Sequence, residues 1–154
     1  MTIAKGITAQ IEDWMVSVLA ALTYSDAAVF KTAEAWQHQL ESFTESFDRV
    51  EPFAFVGHSP NRPDRAGGYD LSESLQFEVI YGVTSKAKGV ARRGDANHLG
   101  ASKIRDLIID ALDGQHPGEG FDCDDFYLTD ELEYLDAPKK YAGGLIFAAR
   151  RLNS

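Results

Sequence analysis

From Leu71 to Val83 the chain alternates. Leu71, Leu75, Phe77, Val79, Tyr81 and Val83 fall on one side of a two-residue repeat, and Ser72, Ser74, Gln76, Glu78, Ile80 and Gly82 on the other. The pattern predicts a half-buried β-strand long enough to cross a small domain, with Gln76 and Glu78 turned toward water or a partner subunit. A different period precedes it. Ile7, Ile11, Trp14, Met15, Val18, Leu19 and Leu22 recur every three or four residues, the stripe of an amphipathic helix that stops in the turn formers Thr23 to Asp26. Ala28 to Lys31 reads as a short edge strand. Thr32 to Val50 reads as a second helix, with Ala33, Trp36, Leu40, Phe43, Phe47 and Val50 on its apolar stripe and Pro52 ending it.

Pro52 to Gly57 is a nearly continuous apolar run and predicts a short buried strand. His58 to Asp70 has no periodicity and contains Pro60, Pro63, Gly67 and Gly68, with Arg62 and Arg65 between them. A loop of that length is the first place to look for a partner surface. Thr84 to Gly94, with Lys86, Lys88, Arg92 and Arg93, is either a hairpin arm beyond the sheet or a loop. Asp95 or Asn97 then caps a helix whose Leu99, Ile104, Leu107, Ile108, Ala111 and Leu112 face the core, closed by Gly114 in the left-handed conformation. Phe126 to Leu132 predicts an edge strand protected by its acids, Asp136 to Pro138 a turn, and Tyr141 to Leu152 a strand buried on both sides at its centre. Gly143 and Gly144 mark either a bulge or a close backbone approach within it. Together these elements predict a single α+β domain over residues 1–154: an antiparallel or mixed sheet of about four strands with helices packed on one face.

A chain of 154 residues buries a sufficient core without disulfides or a structural metal, and its 44% hydrophobic and 25% charged residues are those of an ordinary globular domain. Met1 to Gly6 has no apolar segment of a signal peptide, so cytoplasmic synthesis is expected, and no apolar run reaches membrane-span length. The net charge of −9 repels phosphate backbones, so nucleic-acid specificity is not expected. The charge is also segregated. Glu119 to Asp136 is acidic, whereas Lys86 to Arg93 and Lys139 to Arg151 are basic, an asymmetry that favours head-to-tail contact between copies. Arg92 and Arg93 are the best basic partners for Asp122, Asp124 and Asp125, because a guanidinium binds a carboxylate in a fixed orientation.

Candidate chemistry is sparse. His38, His58, His98 and His116 form no pair at the spacing of a zinc site, and the acids of residues 122–131 lack the glycine and terminal Glu of a calcium loop. No nucleophile elbow or phosphate-binding glycine loop occurs, and Gly67 with Gly68 precedes a strand rather than a helix N-terminus. The three aspartates around Cys123 raise its thiol pKa. Trp14 and Trp36 read as core residues on helix faces. No catalytic residue, cofactor or metal site is expected.

The succession of an amphipathic helix, a second helix leading into Glu51-Pro52-Phe53-Ala54-Phe55-Val56, a Gly/Pro loop, Tyr69-Asp70 opening a long alternating strand, Arg92-Arg93 before the helix ending at Leu112 and Gly114, and a closing apolar strand resembles the Mu-like tail proteins of contractile-tailed phages. These are similar in layout to the tail terminator, or tail-completion, proteins of lambda-type phages. The resemblance implies a non-enzymatic α+β subunit that closes into a ring of its own copies, usually a hexamer, on the end of the tail tube and offers a surface to the neck. Such a subunit assembles in the host cytoplasm and ends in the virion tail. The acidic segment before Asp136 has no counterpart in that layout. The alternative from a different class is a small cytoplasmic binding or regulatory module without enzymatic activity.

Overall fold

In the computed structural model, which describes residues 5–36, 52–59, 74–84, 90–95 and 98–151, the first elements are helix α1 (Ile7–Ala20) and strands β1 (Thr23–Tyr24), β2 (Ala27–Ala28), β3 (Thr32–Ala35), β4 (Phe53–His58) and β5 (Ser74–Thr84). Helices α2 (Val90–Arg93) and α3 (Ala101–Leu112) follow, then strands β6 (Tyr127–Ala137) and β7 (Lys140–Arg150). Five strands make one mixed sheet in the order β3-β4-β5-β7-β6, in which β3 and β4 run parallel and the other neighbours antiparallel. The α+β class is as the sequence predicts, with one strand more in the sheet.

The helices α1 and α3 lie on the same face. Ile11, Met15 and Leu19 descend one side of α1, and Ile104, Ile108 and Leu112 one side of α3. All six are buried against Leu75, Phe77 and Val79 of β5 and Leu145 and Phe147 of β7. Neither helix has a side-chain N-cap; Gly6 and Gly100 stand at the cap positions, so packing of the apolar stripe is what holds each helix. The predicted cap at Asp95 or Asn97 gives way to Gly100, while Gly114 follows α3 at φ 77° as expected.

On the other face the half-buried reading of the long strand needs correcting. Residues 79–83 of β5 are buried in succession, because β4 and β7 flank the strand and a second apolar cluster of Phe53, Phe55, Ile80 and Ala142 lies there. Trp36, Tyr134 and Leu135 pack onto that cluster, with the Trp36 ring edge-on to Phe55 at 5.9 Å. Ile80, an apolar residue in the otherwise polar row, was the sequence signal of this second cluster.

Two more expectations are corrected near the N-terminus. Thr32 to Ala35 does not begin a helix: it pairs in parallel with Phe53 to Val56, and the Trp36 N–H extends the ladder to the Val56 carbonyl at 2.7 Å. Four ladder pairs outweigh the weak helical preference of so short a segment. The rest of the predicted helix, residues 37–50, lies outside the described residues. The edge strand expected at Ala28 to Lys31 is replaced by the β1–β2 hairpin, after which Val29 and Phe30 enter the core without strand pairing. Of the predicted loop from His58 to Asp70, His58 belongs to β4 and residues 60–70 lie outside the described part, as do residues 71–73. Arg92 and Arg93 are on a helical turn rather than an extended arm, and residues 85–89 are outside the described part.

Gly143 and Gly144 mark a close approach, and the register shifts belong to β6 instead, between Leu128 and Asp130 and between Glu133 and Leu135. A Cβ at Gly143 would lie 2.8 Å from the Tyr81 hydroxyl on the helix side. A Cβ at Gly144 would strike the Glu78 carboxylate and come within 2.9 Å of the Tyr134 ring on the other side. Over that gap the Tyr134 hydroxyl donates to Glu78. Burial, followed by this carboxylate, pushes the Tyr134 hydroxyl pKa well up.

Phe77 is fully buried, in edge-to-face contact with Phe126 at 5.8 Å, so Phe77→Ala is expected to cost about 3–5 kcal/mol in urea unfolding followed by tryptophan fluorescence. In the β1–β2 turn Ser25 and Asp26 both have positive φ, 51° and 64°. Asp26→Gly is therefore expected to raise stability by about 1 kcal/mol in the same measurement.

Candidate functional site

The strand β6 forms one edge of the sheet, and its character follows from its residues. Between Glu119 and Ala137 there are eight carboxylates and no Lys or Arg. Paired residues of β6 and β7 share a face, so Glu131, opposite Leu145, and Asp136, opposite Tyr141, point to the side of α1 and α3, while Asp130, opposite Ile146, points to the other side. The helix-side acids are answered within the chain. Arg105 of α3 binds Glu131, and Arg92 of α2 reaches Asp136 at 3.2 Å. Hydrogen bonding to Glu131 raises the Arg105 pKa further, so this cation is permanent.

The start of the strand is pinned from both sides. The Gly114 N–H donates to the Phe126 carbonyl at 2.6 Å, the Phe126 N–H to the Gln115 carbonyl at 2.8 Å, and the Leu128 N–H to the Asp113 carboxylate at 2.7 Å. Phe126 itself is fully buried and contacts Trp14 at 5.8 Å, which anchors the acidic run before it to the core. The Asp124 N–H donates to the Arg150 carbonyl at 2.9 Å, and the Arg150 guanidinium stands 3.5 Å from the Asp124 carboxylate. Asp124, Asp125, Tyr127, Ala148 and Arg150 line an open depression of about 250 Å³. Tyr127 is 53% exposed and Leu132 39%, unusually open for large apolar side chains.

The residues named from the sequence thus occupy separate places. Asp122, Asp124 and Asp125 precede β6, and Arg92 meets Asp136 near its far end, about 30 Å away at the rise of an extended strand. Arg93 is exposed beside Arg92. Within one chain these two charged patches do not meet. Arg62, Arg65, Lys86 and Lys88 lie outside the described residues.

One juxtaposition escaped the sequence reading. His116 folds over Cys123: the Gly118 N–H donates to its Nδ1 at 2.9 Å, which leaves the proton on Nε2, and that N–H donates to the Cys123 carbonyl at 3.0 Å. The Cys123 sulfur is 4.0 Å from Nε2. The spacing of seven residues across a Pro/Gly turn held no motif to reveal it. This pair is no activated nucleophile. The imidazole nitrogens are committed to the backbone, and burial first, then Asp124, Asp125 and Asp122, push the thiol pKa upward. Among the described residues no polar or charged side chain is fully buried, no three His, Cys, Asp or Glu side chains converge as metal ligands, and no helix is long and apolar enough to cross a membrane.

No family model matches the chain, and no curated protein matches it either.

The raised thiol pKa carries a testable sign. The folded chain keeps the Cys123 proton at a pH where the unfolded chain releases it, so this contribution to stability is present below about pH 8.5 and declines as the pH rises above it. Iodoacetamide at pH 8 is expected to alkylate native Cys123 far more slowly than the same residue in urea, measured by intact mass.

Proposed function

We propose that the protein is a phage or prophage virion-assembly subunit, a tail terminator or tail-completion protein that closes into a ring of its own copies at the end of the tail tube. The observation that carries the reading is the placement of its charges. The exposed Arg93 with Arg92 lies about 30 Å along β6 from Asp122, Asp124 and Asp125, so the two patches can satisfy one another only between copies. A heterologous contact that closes a ring needs such unlike patches on opposite sides of one subunit. The layout resemblance supplies the class of assembly.

The local pairs refine which groups contribute. Arg92 is already bound to Asp136, and Asp124 already faces Arg150, so Arg93 with Asp122 and Asp125 carry most of the contact. Both internal pairs are solvent-exposed and contribute little to folding, so reversing their charges leaves the subunit folded.

Light scattering on the purified protein is expected to give a multiple of the 17.0 kDa chain mass, with a hexamer the favoured state. Arg92→Glu with Arg93→Glu should return the mass to that of one chain, and Asp124→Lys with Asp125→Lys in the same protein should restore part of the assembly. A wild-type protein that stays monomeric at low salt and high concentration overturns the ring and leaves the stand-alone binding module.

A further inference from the structure

The side of β6 away from α1 and α3 presents a surface that the Arg105–Glu131 and Arg92–Asp136 pairs do not use. Tyr127 is opposite Ala148 and Leu132 opposite Gly144, so both exposed side chains share one face with the half-buried Ile146 and Ala148 of β7. Their partners stand four residues apart on β7, which separates the tyrosine and the leucine by about 13 Å. Asp125 borders the Tyr127 end of this strip, where Arg150 also stands but faces Asp124, so the two aspartates and one arginine there leave a net negative charge, and Asp130 projects from the middle, opposite Ile146. Among the described residues no cation is paired with either aspartate.

We propose that this strip docks a basic, extended segment of another protein, with a Lys or Arg side chain over the Tyr127 ring beside Asp125 and an apolar side chain against Leu132 and Ile146. Charge selects the partner. A second copy presenting its own β6 would bring Asp130, Glu131, Glu133 and Asp136 against their equivalents, and like charges directly opposed destabilise a strand pair. The two register shifts in β6 also interrupt the regular backbone edge that a partner strand would follow. Recognition therefore falls to the side chains of the face rather than to ladder hydrogen bonds. A cation answers the carboxylate, and the tyrosine ring adds the attraction of its electron-rich face. An extended guest spans the 13 Å with residues i and i+4, both on one side of its backbone. The docking shares Asp125 with the proposed contact between copies, whereas Tyr127, Asp130 and Leu132 belong to the strip alone.

The test uses the full chain and the labelled peptide RTRTVTV, with ETETVTV as its acidic counterpart, followed by fluorescence anisotropy and amide chemical shifts. The expected result is saturable binding of the basic peptide alone, with shifts centred on residues 127–132 and 144–148. Tyr127→Ala and Asp125→Asn with Asp130→Asn are each expected to weaken binding at least about fivefold. Asp106→Asn with Asp110→Asn, on the outer surface of α3, should leave it unchanged. Equal weakening by the α3 pair would mean diffuse attraction to a protein of net charge −9 and overturns the proposal. Loss of self-association in Tyr127→Ala, at unchanged circular dichroism, would assign the strip to a contact between copies and overturns it as well. The Arg92→Glu, Arg93→Glu protein, in which no neighbouring copy competes for Asp125, should bind the peptide at least as tightly as the wild type, so failure of the ring and failure of the docking strip are read separately.

Discussion

The structure depends on the pairing of β5 with β7, unbroken from Ser74 opposite Arg150 to Thr84 opposite Lys140. Both strands are central in the sheet and supply apolar residues to both faces, so neither is stable without the other. Tyr81, Glu78 and Tyr134 crowd the middle of this pairing from its two sides, and they fit because β7 offers backbone alone at Gly143 and Gly144. The two glycines weaken the strand by its own propensity and are compensated by the aromatic bodies that fill the space above and below. The helices then cover one face, and the acidic strand borders it.

Much of this order was legible because periodicity reports burial directly. The stripes of α1 and α3 and the alternation of β5 each have a single geometric solution, and the helices are found on one face as expected. The errors fall where pattern and environment part. Thr32 to Ala35 is short enough to fit either period, and only its parallel neighbour Phe53 to Val56 decides for a strand. The polar row of β5 suggests a wet face because Gln76 and Glu78 dominate it, whereas its other half, Ile80 and Gly82, lies beside Phe55 and Phe53 of β4.

The functional surface was legible as charge but not as geometry. Composition showed an acidic run and basic clusters; it did not show that Asp136 and Glu131 are answered locally by Arg92 and Arg105, since those contacts cross 44 and 26 residues of sequence. The approach of His116 to Cys123 is likewise a product of the turn between them, whose Gly118 and Gly120 adopt positive φ. The exposed tyrosine and leucine on β6 were invisible for a simpler reason. An apolar residue in an edge strand has the same letter whether it faces the core or the solvent, and the two register shifts change which it does.

The β5–β7 ladder also bears on how the chain is made. Its pairs join residues separated by 56 positions at Thr84 and Lys140 and by 76 at Ser74 and Arg150, so the central strand emerges from the ribosome well before its principal partner exists. At synthesis rates of roughly 5–20 residues per second that interval lasts several seconds, during which a strand with apolar side chains on both faces has β4 alone beside it. The β6–β7 hairpin is local and closes quickly once its turn is out, and docking of that preformed hairpin onto β5 then completes both cores in one step. In the nascent chain, therefore, vulnerability to misassembly and to chaperone capture concentrates in β5, the segment that is most protected once folding is complete.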